Sequence, residues 1–199
     1  MVPYLASKGH KVIEATAPIN NLKKAESFFI NADYVIHLAA KVEEVRKGRE
    51  GDGFLEVNVL GTKNVIDLCL KHRCKLINFS STLAVYKKNI YGVSKSLAEE
   101  LIRSYVEKPY VGKQGLLAST VRLCAIYDSD RRDRLGNLVD ISKGEWYPME
   151  KLFKLVESII LKDEFKKGVY KVYQTKLPIH YLYFLKRVIR KICSIILKR

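Results

Sequence analysis

Hydrophobic and polar positions fall along this chain in blocks that carry one of two periods. HKVIEAT (10–16) is a short apolar run with β-branched residues, which predicts a strand. The preceding VPYLASKG predicts the end of a helix closed by Gly9. LKKAESFFIN (22–31) predicts a short helix, and DYVIHLAAK (33–41) is nearly continuous in its apolar residues, as in a strand buried on both faces. FLEVNVLGTKNVIDLCLKH (54–72) spaces Leu55, Val59, Val65, Ile66, Leu68 and Cys69 as one helical face. KLINFSS (75–81) predicts a buried strand, YGVSKSLAEELIRSYVEK (91–108) an amphipathic helix, and LLASTVRLCAIY (116–127) the next strand. This alternation of strand and helix predicts a three-layer α/β domain with a parallel sheet. After the polar loop DSDRRDRLGN (128–137), the pattern gives a helix over 149–161, a strand over 168–173 and a helix over 182–199.

Composition agrees with a folded chain: of 199 residues, 48% are hydrophobic and 29% charged, enough for one well-buried core. No uncharged apolar run approaches the ~20 residues that cross a bilayer. The start of the chain lacks the layout of a signal peptide. Cys69, Cys74, Cys124 and Cys193 form no CxxC pair, so reduced thiols in the cytoplasm are the expectation. His10, His37, His72 and His180 are scattered, which argues against a metal site.

The net charge of +15 concentrates toward the C-terminus. In 182–199, Leu185, Val188, Ile189, Ile192, Ile195 and Ile196 form an apolar stripe, with Lys186, Arg187, Arg190 and Lys191 off it. Such a helix either docks on its own domain or lies on an anionic membrane surface, which would place the chain at the inner face of the membrane. The basic residues lack the interleaved aromatics of a nucleic-acid surface.

The candidate chemistry lies at INFSSTLAVYKKNIYGVSK (77–95). Tyr91 and Lys95 are four residues apart, on one face of a helix. An ammonium there favours the phenolate, drawing a phenol down from about 10 toward a value useful to a general acid/base for an alcohol–ketone pair. Spacing alone selects nothing, because Tyr4/Lys8 and Tyr147/Lys151 share it. Only Tyr91/Lys95 follows a buried strand that ends in hydroxyl residues, at the carboxyl edge where open α/β sheets bind ligands.

HLAA (37–40), VNVLGTKNVID (57–67), FSSTLAVY (79–86), YGVSK (91–95) and VRLCAIY (121–127) occur in an order and spacing that resemble the extended short-chain dehydrogenases/reductases. The similarity is to the NAD-dependent epimerase/dehydratase group that acts on nucleotide sugars. The resemblance implies a Rossmann-like doubly wound parallel sheet over 1–130. Residues 131–199 then form a short α-rich remnant of a substrate domain. It implies NAD or NADP as cofactor, a nucleotide sugar as substrate and a second copy of the chain as a partner. Tyr91 would be the acid/base, and Lys95 would bind the nicotinamide ribose and tune Tyr91. Thr82 would orient the substrate and Ser80 line the nicotinamide. Asn58 and Cys124 would lie on the cofactor side, and Ala39 and Ala40 would pass its ribose and pyrophosphate.

The same comparison exposes departures. The family's glycine-rich turn between first strand and first helix is not in this sequence, so both would lie upstream of Met1. Gly48, Gly51 and Gly53 follow the wrong strand to replace it. Thr16 stands where an acid would grip the adenosine ribose. Only Lys87–Ile90 separate Tyr86 from Tyr91, where the family carries a longer loop. Three functions follow from these readings: a nucleotide-sugar enzyme, a non-catalytic truncated relic or binding protein of the same family, and a membrane-surface protein acting through 182–199.

Overall fold

The computed structural model describes residues 1–19, 21–42, 53–87, 89–108, 115–132, 138 and 146–175. The helix expected over 182–199, with the membrane contact assigned to it, lies outside these residues.

Four strands build one parallel sheet: β1 (Tyr34–His37), β2 (Lys75–Ser81), β3 (Ala118–Leu123) and β6 (Lys171–Gln174), in the order β1-β2-β3-β6. Two more, β4 (Ala125–Tyr127) and β5 (Trp146–Pro148), pair in parallel beside it. The helices are α1 (Val2–Ser7), α2 (Leu22–Glu26), α3 (Gly61–His72), α4 (Leu83–Tyr86), α5 (Ile90–Glu107) and α6 (Met149–Lys162).

Side chains alternate along each strand, so the sheet sorts its residues onto two faces. On one face Leu76 and Ala118 pack with Val65, Ile66 and Cys69 of α3 and Ile102 and Val106 of α5. On the other, Ile77, Phe79 and Val121 pack with Leu152, Val156 and Ile159 of α6. Helices on both faces of a parallel sheet make the doubly wound, Rossmann-like architecture that the alternating pattern predicts.

The run 10–16 forms no strand. Its Ile13 is 61% exposed, so the segment buries too little to offset the ordering of an extended backbone. Gly9 does close α1, at φ +86, with its N–H and that of His10 returning to Ala6 O and Leu5 O. The helix expected over 22–31 shortens to α2. The strand expected over 116–127 breaks at Cys124, where Thr175 Oγ1 takes the Cys124 N–H at 3.1 Å. The Thr82 N–H donates to Leu123 O at 2.8 Å, which ends the main ladder one residue earlier. The helix expected over 54–72 opens as a π-helical turn, Glu56–Leu60, before tightening into α3.

The carboxyl end of β2 and the first turn of α5 are joined by α4. Asn89 caps α5, its Oδ1 accepting the Gly92 N–H at 2.8 Å. Gly92 lies so close to α4 that a Cβ there would sit 2.6 Å from Leu83 O. Glycine in a helix interior is ordinarily worse than alanine by about 1 kcal/mol; here the contact with a backbone carbonyl reverses the sign. Gly92→Ala is expected to destabilise the chain by about 1–3 kcal/mol in urea unfolding, and a gain in midpoint would contradict this packing.

Candidate active site

The face between the sheet and α3/α5 changes character along the strands. Its lowest row, Val35, Leu76 and Ala118, is apolar; the next, His37, Asn78 and Thr120, is polar; the third reaches Ser80 and Arg122. Helix α5 runs the other way with the matching stripe, Ile102 below, then Glu99, then Lys95, then Tyr91. Polarity therefore grows toward the carboxyl edge of the sheet, where the candidate residues gather.

Lys95 is 4% exposed, and among the described residues it donates no hydrogen bond and pairs with no carboxylate. An ammonium with three donors left in such a place is a costly arrangement. Burial draws its pKa down to about 8, with the Glu99 carboxylate one turn away pulling the other way. Ser80, on the same face at the end of β2, is also buried, and its Oγ has no partner among the described residues.

The charged and imidazole groups of the same layer are committed elsewhere, while Asn78 Oδ1, like Ser80 Oγ, has no partner among the described residues. Glu99 is 2% exposed and accepts Arg122 Nε at 3.0 Å on both oxygens and Nη2 at 2.6 Å. His37 is buried with Nε2 3.2 Å from Thr62 Oγ1. Because the Thr62 hydroxyl donates its single proton to Asn58 O at 2.7 Å, His37 must donate through Nε2–H. Burial, and then the charge of Lys95, push His37 down to about 3, so the imidazole is neutral.

Asn58 occupies the π-helical turn, where its amide reaches two segments at once. Its Oδ1 accepts the Lys41 N–H at 2.8 Å, and its Nδ2 donates to Lys41 O at 3.2 Å and Ser94 Oγ at 2.9 Å. Ser94 in turn donates to Tyr91 O at 2.8 Å. Both amide protons are spent, so Asn58 ties the segment after β1 to the helix that carries Tyr91. That segment holds Ala39, exposed, and Ala40, half-buried. Tyr91 is half-buried with its ring edge-on to Phe54, 6.5 Å between centroids. Thr82 is buried just past β2. Cys124 is half-buried past β3, its thiol 3.4 Å from Thr175 Oγ1.

The fold thus places Ser80, Thr82, Tyr91, Lys95, Ala39, Ala40 and Cys124 along one carboxyl edge, with Asn58 as the tie behind them. Sequence reasoning passed over His37, Thr62, Ser94, Glu99 and Arg122. The available signals were a histidine ending an apolar strand, an arginine inside another, and Glu99 four residues beyond Lys95.

A sequence model of the Polysaccharide biosynthesis protein family matches residues 6–129. The chain belongs to that family, within the epimerase/dehydratase group of extended short-chain dehydrogenases/reductases. It is 32% identical over 84 residues to a UDP-glucose 4-epimerase of Rickettsia canadensis, covering 42% of this chain and 25% of that one. A D-erythronate dehydrogenase of Haemophilus influenzae is 29% identical over 108 residues, 46% of this chain and 33% of that one. The chain therefore spans a quarter to a third of the curated relatives it matches.

Among solved structures, the dTDP-glucose 4,6-dehydratase DesIV of Streptomyces venezuelae, with NAD and DAU bound, aligns over 80% of this chain and 56% of its own. The TM-score is 0.62 at 14% identity. MoeE5 in complex with UDP-glucose and NAD aligns over 87% and 70%, with a TM-score of 0.63 at 19% identity. These likenesses establish the shared fold.

The depressed pKa of Lys95 has a consequence for stability. Between about 8 and 10.5 the unfolded chain holds that proton and the folded chain does not, so folding gains stability as pH rises through this window. The gain is about 3 kcal/mol, and it is lost again as pH falls through 8. Lys95→Met is expected to abolish this rise, seen as a flatter difference in unfolding free energy between pH 7.5 and 10.5. Parallel curves for the two proteins would contradict the buried ammonium.

Proposed function

We propose that this chain carries the acid–base half of an NAD- or NADP-dependent epimerase/dehydratase-type oxidoreductase or isomerase acting on a nucleotide sugar. The observation that carries the reading is the buried Lys95, which makes no hydrogen bond among the described residues, together with the orphaned Ser80 hydroxyl on the facing side of the sheet and Tyr91 one helical turn away. A buried lysine and an orphaned hydroxyl, at the carboxyl edge of a parallel sheet, suit a hydroxyl-rich ligand such as a nicotinamide ribose. Lys95 would hold that ribose, and Ser80 would line the nicotinamide side. Cys124, Ala39 and Ala40 lie along the same edge. Bound NAD(P) supplies the oxidising and reducing equivalent for a sugar hydroxyl.

The remaining chemistry belongs to this chain. Thr82 presents a hydroxyl past the end of β2 and orients the substrate oxygen. Tyr91 takes the proton from that oxygen and returns it. Lys95 and Arg122 bring two positive charges to this layer and Glu99 one negative charge. The surplus positive charge favours phenolate at Tyr91. Asn58 and Ser94 hold the first turn of α5 against the segment after β1, which fixes where Tyr91 stands.

A second reading, a non-catalytic binding protein of the same family, draws on Thr16. It is exposed, and it stands where the resemblance implies an acid that grips the adenosine ribose.

The test is turnover of UDP-glucose, dTDP-glucose and UDP-glucuronic acid by the full chain with NAD or NADP, with sugar products followed by NMR. Tyr91→Phe is expected to lower turnover by about 10²–10⁴-fold and to leave unfolding free energy within about 0.5 kcal/mol of the parent. Equal turnover in the two proteins would remove Tyr91 from the chemistry. NAD binding with no turnover in either would favour the second reading.

A further inference from the structure

Lys95 lies in a layer whose other ionisable groups can be enumerated element by element. On α5 itself they are Tyr91 and Glu99, on β1 the neutral His37, and on β3 Arg122. Next to β6, the Tyr170 hydroxyl is engaged by Thr120 at 2.5 Å, and Arg103 stacks on its ring at 5.5 Å. The neighbouring polar residues of β2, Asn78 and Ser80, carry no charge. Glu99 is therefore the sole buried anion among the described residues of this layer.

Its geometry is that of a fixed countercharge. Lys95 and Glu99 are i and i+4 on one buried stripe of α5, neighbours on the helix. The guanidinium of Arg122 engages Glu99 with three contacts of 2.6–3.0 Å from the adjacent strand, a forked arrangement that commits both carboxylate oxygens. Arg122 is itself paired along the sheet, its carbonyl accepting the Thr175 N–H at 3.1 Å, so the clamp is anchored at both ends.

We propose that Glu99, clamped by Arg122, is a positioning residue for the site: it is the internal countercharge that keeps Lys95 an ammonium while the lysine's own donors stay open to a ligand. This rests on the reading of Lys95 as the functional cation. A direct Lys95–carboxylate pair would keep the charge but spend the donors. A carboxylate one helical turn back, already saturated by arginine, supplies the field without competing for the hydrogen bonds.

The experiment follows the Lys95 ε-carbon resonance of the full chain by NMR from pH 6 to 11, with no ligand present. The resonance is assigned by its loss in Lys95→Met. Glu99→Gln is expected to lower the Lys95 midpoint by about one to two pH units. Because Glu99→Gln leaves the half-buried Arg122 without its anion, the double variant Glu99→Gln/Arg122→Met provides a folded alternative, since exchanging such an ion pair for neutral groups is tolerated. Its Lys95 midpoint is expected to fall as well. A midpoint within about 0.3 pH unit of the parent in either folded variant would overturn the proposal. The measurement needs neither cofactor nor turnover, so a failure to bind NAD would strike the assignment of the site and leave this result to be judged separately.

Discussion

The rest of the site depends on an ammonium kept in a place where ammonium groups are costly. Lys95 is buried against the sheet with its donors unspent, and the surrounding polar groups are arranged so that none of them spends those donors. Glu99 turns to Arg122, His37 donates to Thr62, and Thr62 donates to Asn58. The cost of the buried charge is met by the apolar rows below it, where Leu76, Ala118, Ile102 and Val106 close the core.

The polar layer also explains the irregular backbone. The π-helical turn at Glu56–Leu60 places Asn58 where one amide can bridge Lys41 and Ser94, and π turns recur where a side chain must be set down at a site. Gly92 allows α5 to begin within contact of Leu83 O, which sets the first turn of α5 against α4 just past the end of β2. Strain and substitution at these points act on the site through the position of α5.

Much of this was legible in the sequence because it rests on local pattern. The continuous apolar run of KLINFSS and the stripe of YGVSKSLAEELIRSYVEK fix β2 and α5 nearly to the residue, and the hydroxyls following β2 mark the edge where Tyr91 and Lys95 stand. HKVIEAT misled because its β-branched residues have strand propensity but no partner to pair with, and tertiary context decides such runs. The break at Cys124 was hidden because it is made by Thr175, fifty-one residues away. The pairing of Glu99 with Arg122 and the tautomer of His37 were equally out of reach, since each is fixed by a residue on another element.

The central claim is that Lys95 waits for an electron-rich, hydroxyl-bearing ligand. Thermal unfolding of the full chain with increasing NAD, beside the Lys95→Met variant at the same pH, tests it most directly. The account predicts that the parent is stabilised, by about 2.7 kcal/mol once NAD reaches 100 times its dissociation constant, and that the variant gains little. Equal stabilisation of both proteins, or none in the parent at millimolar NAD, would contradict it.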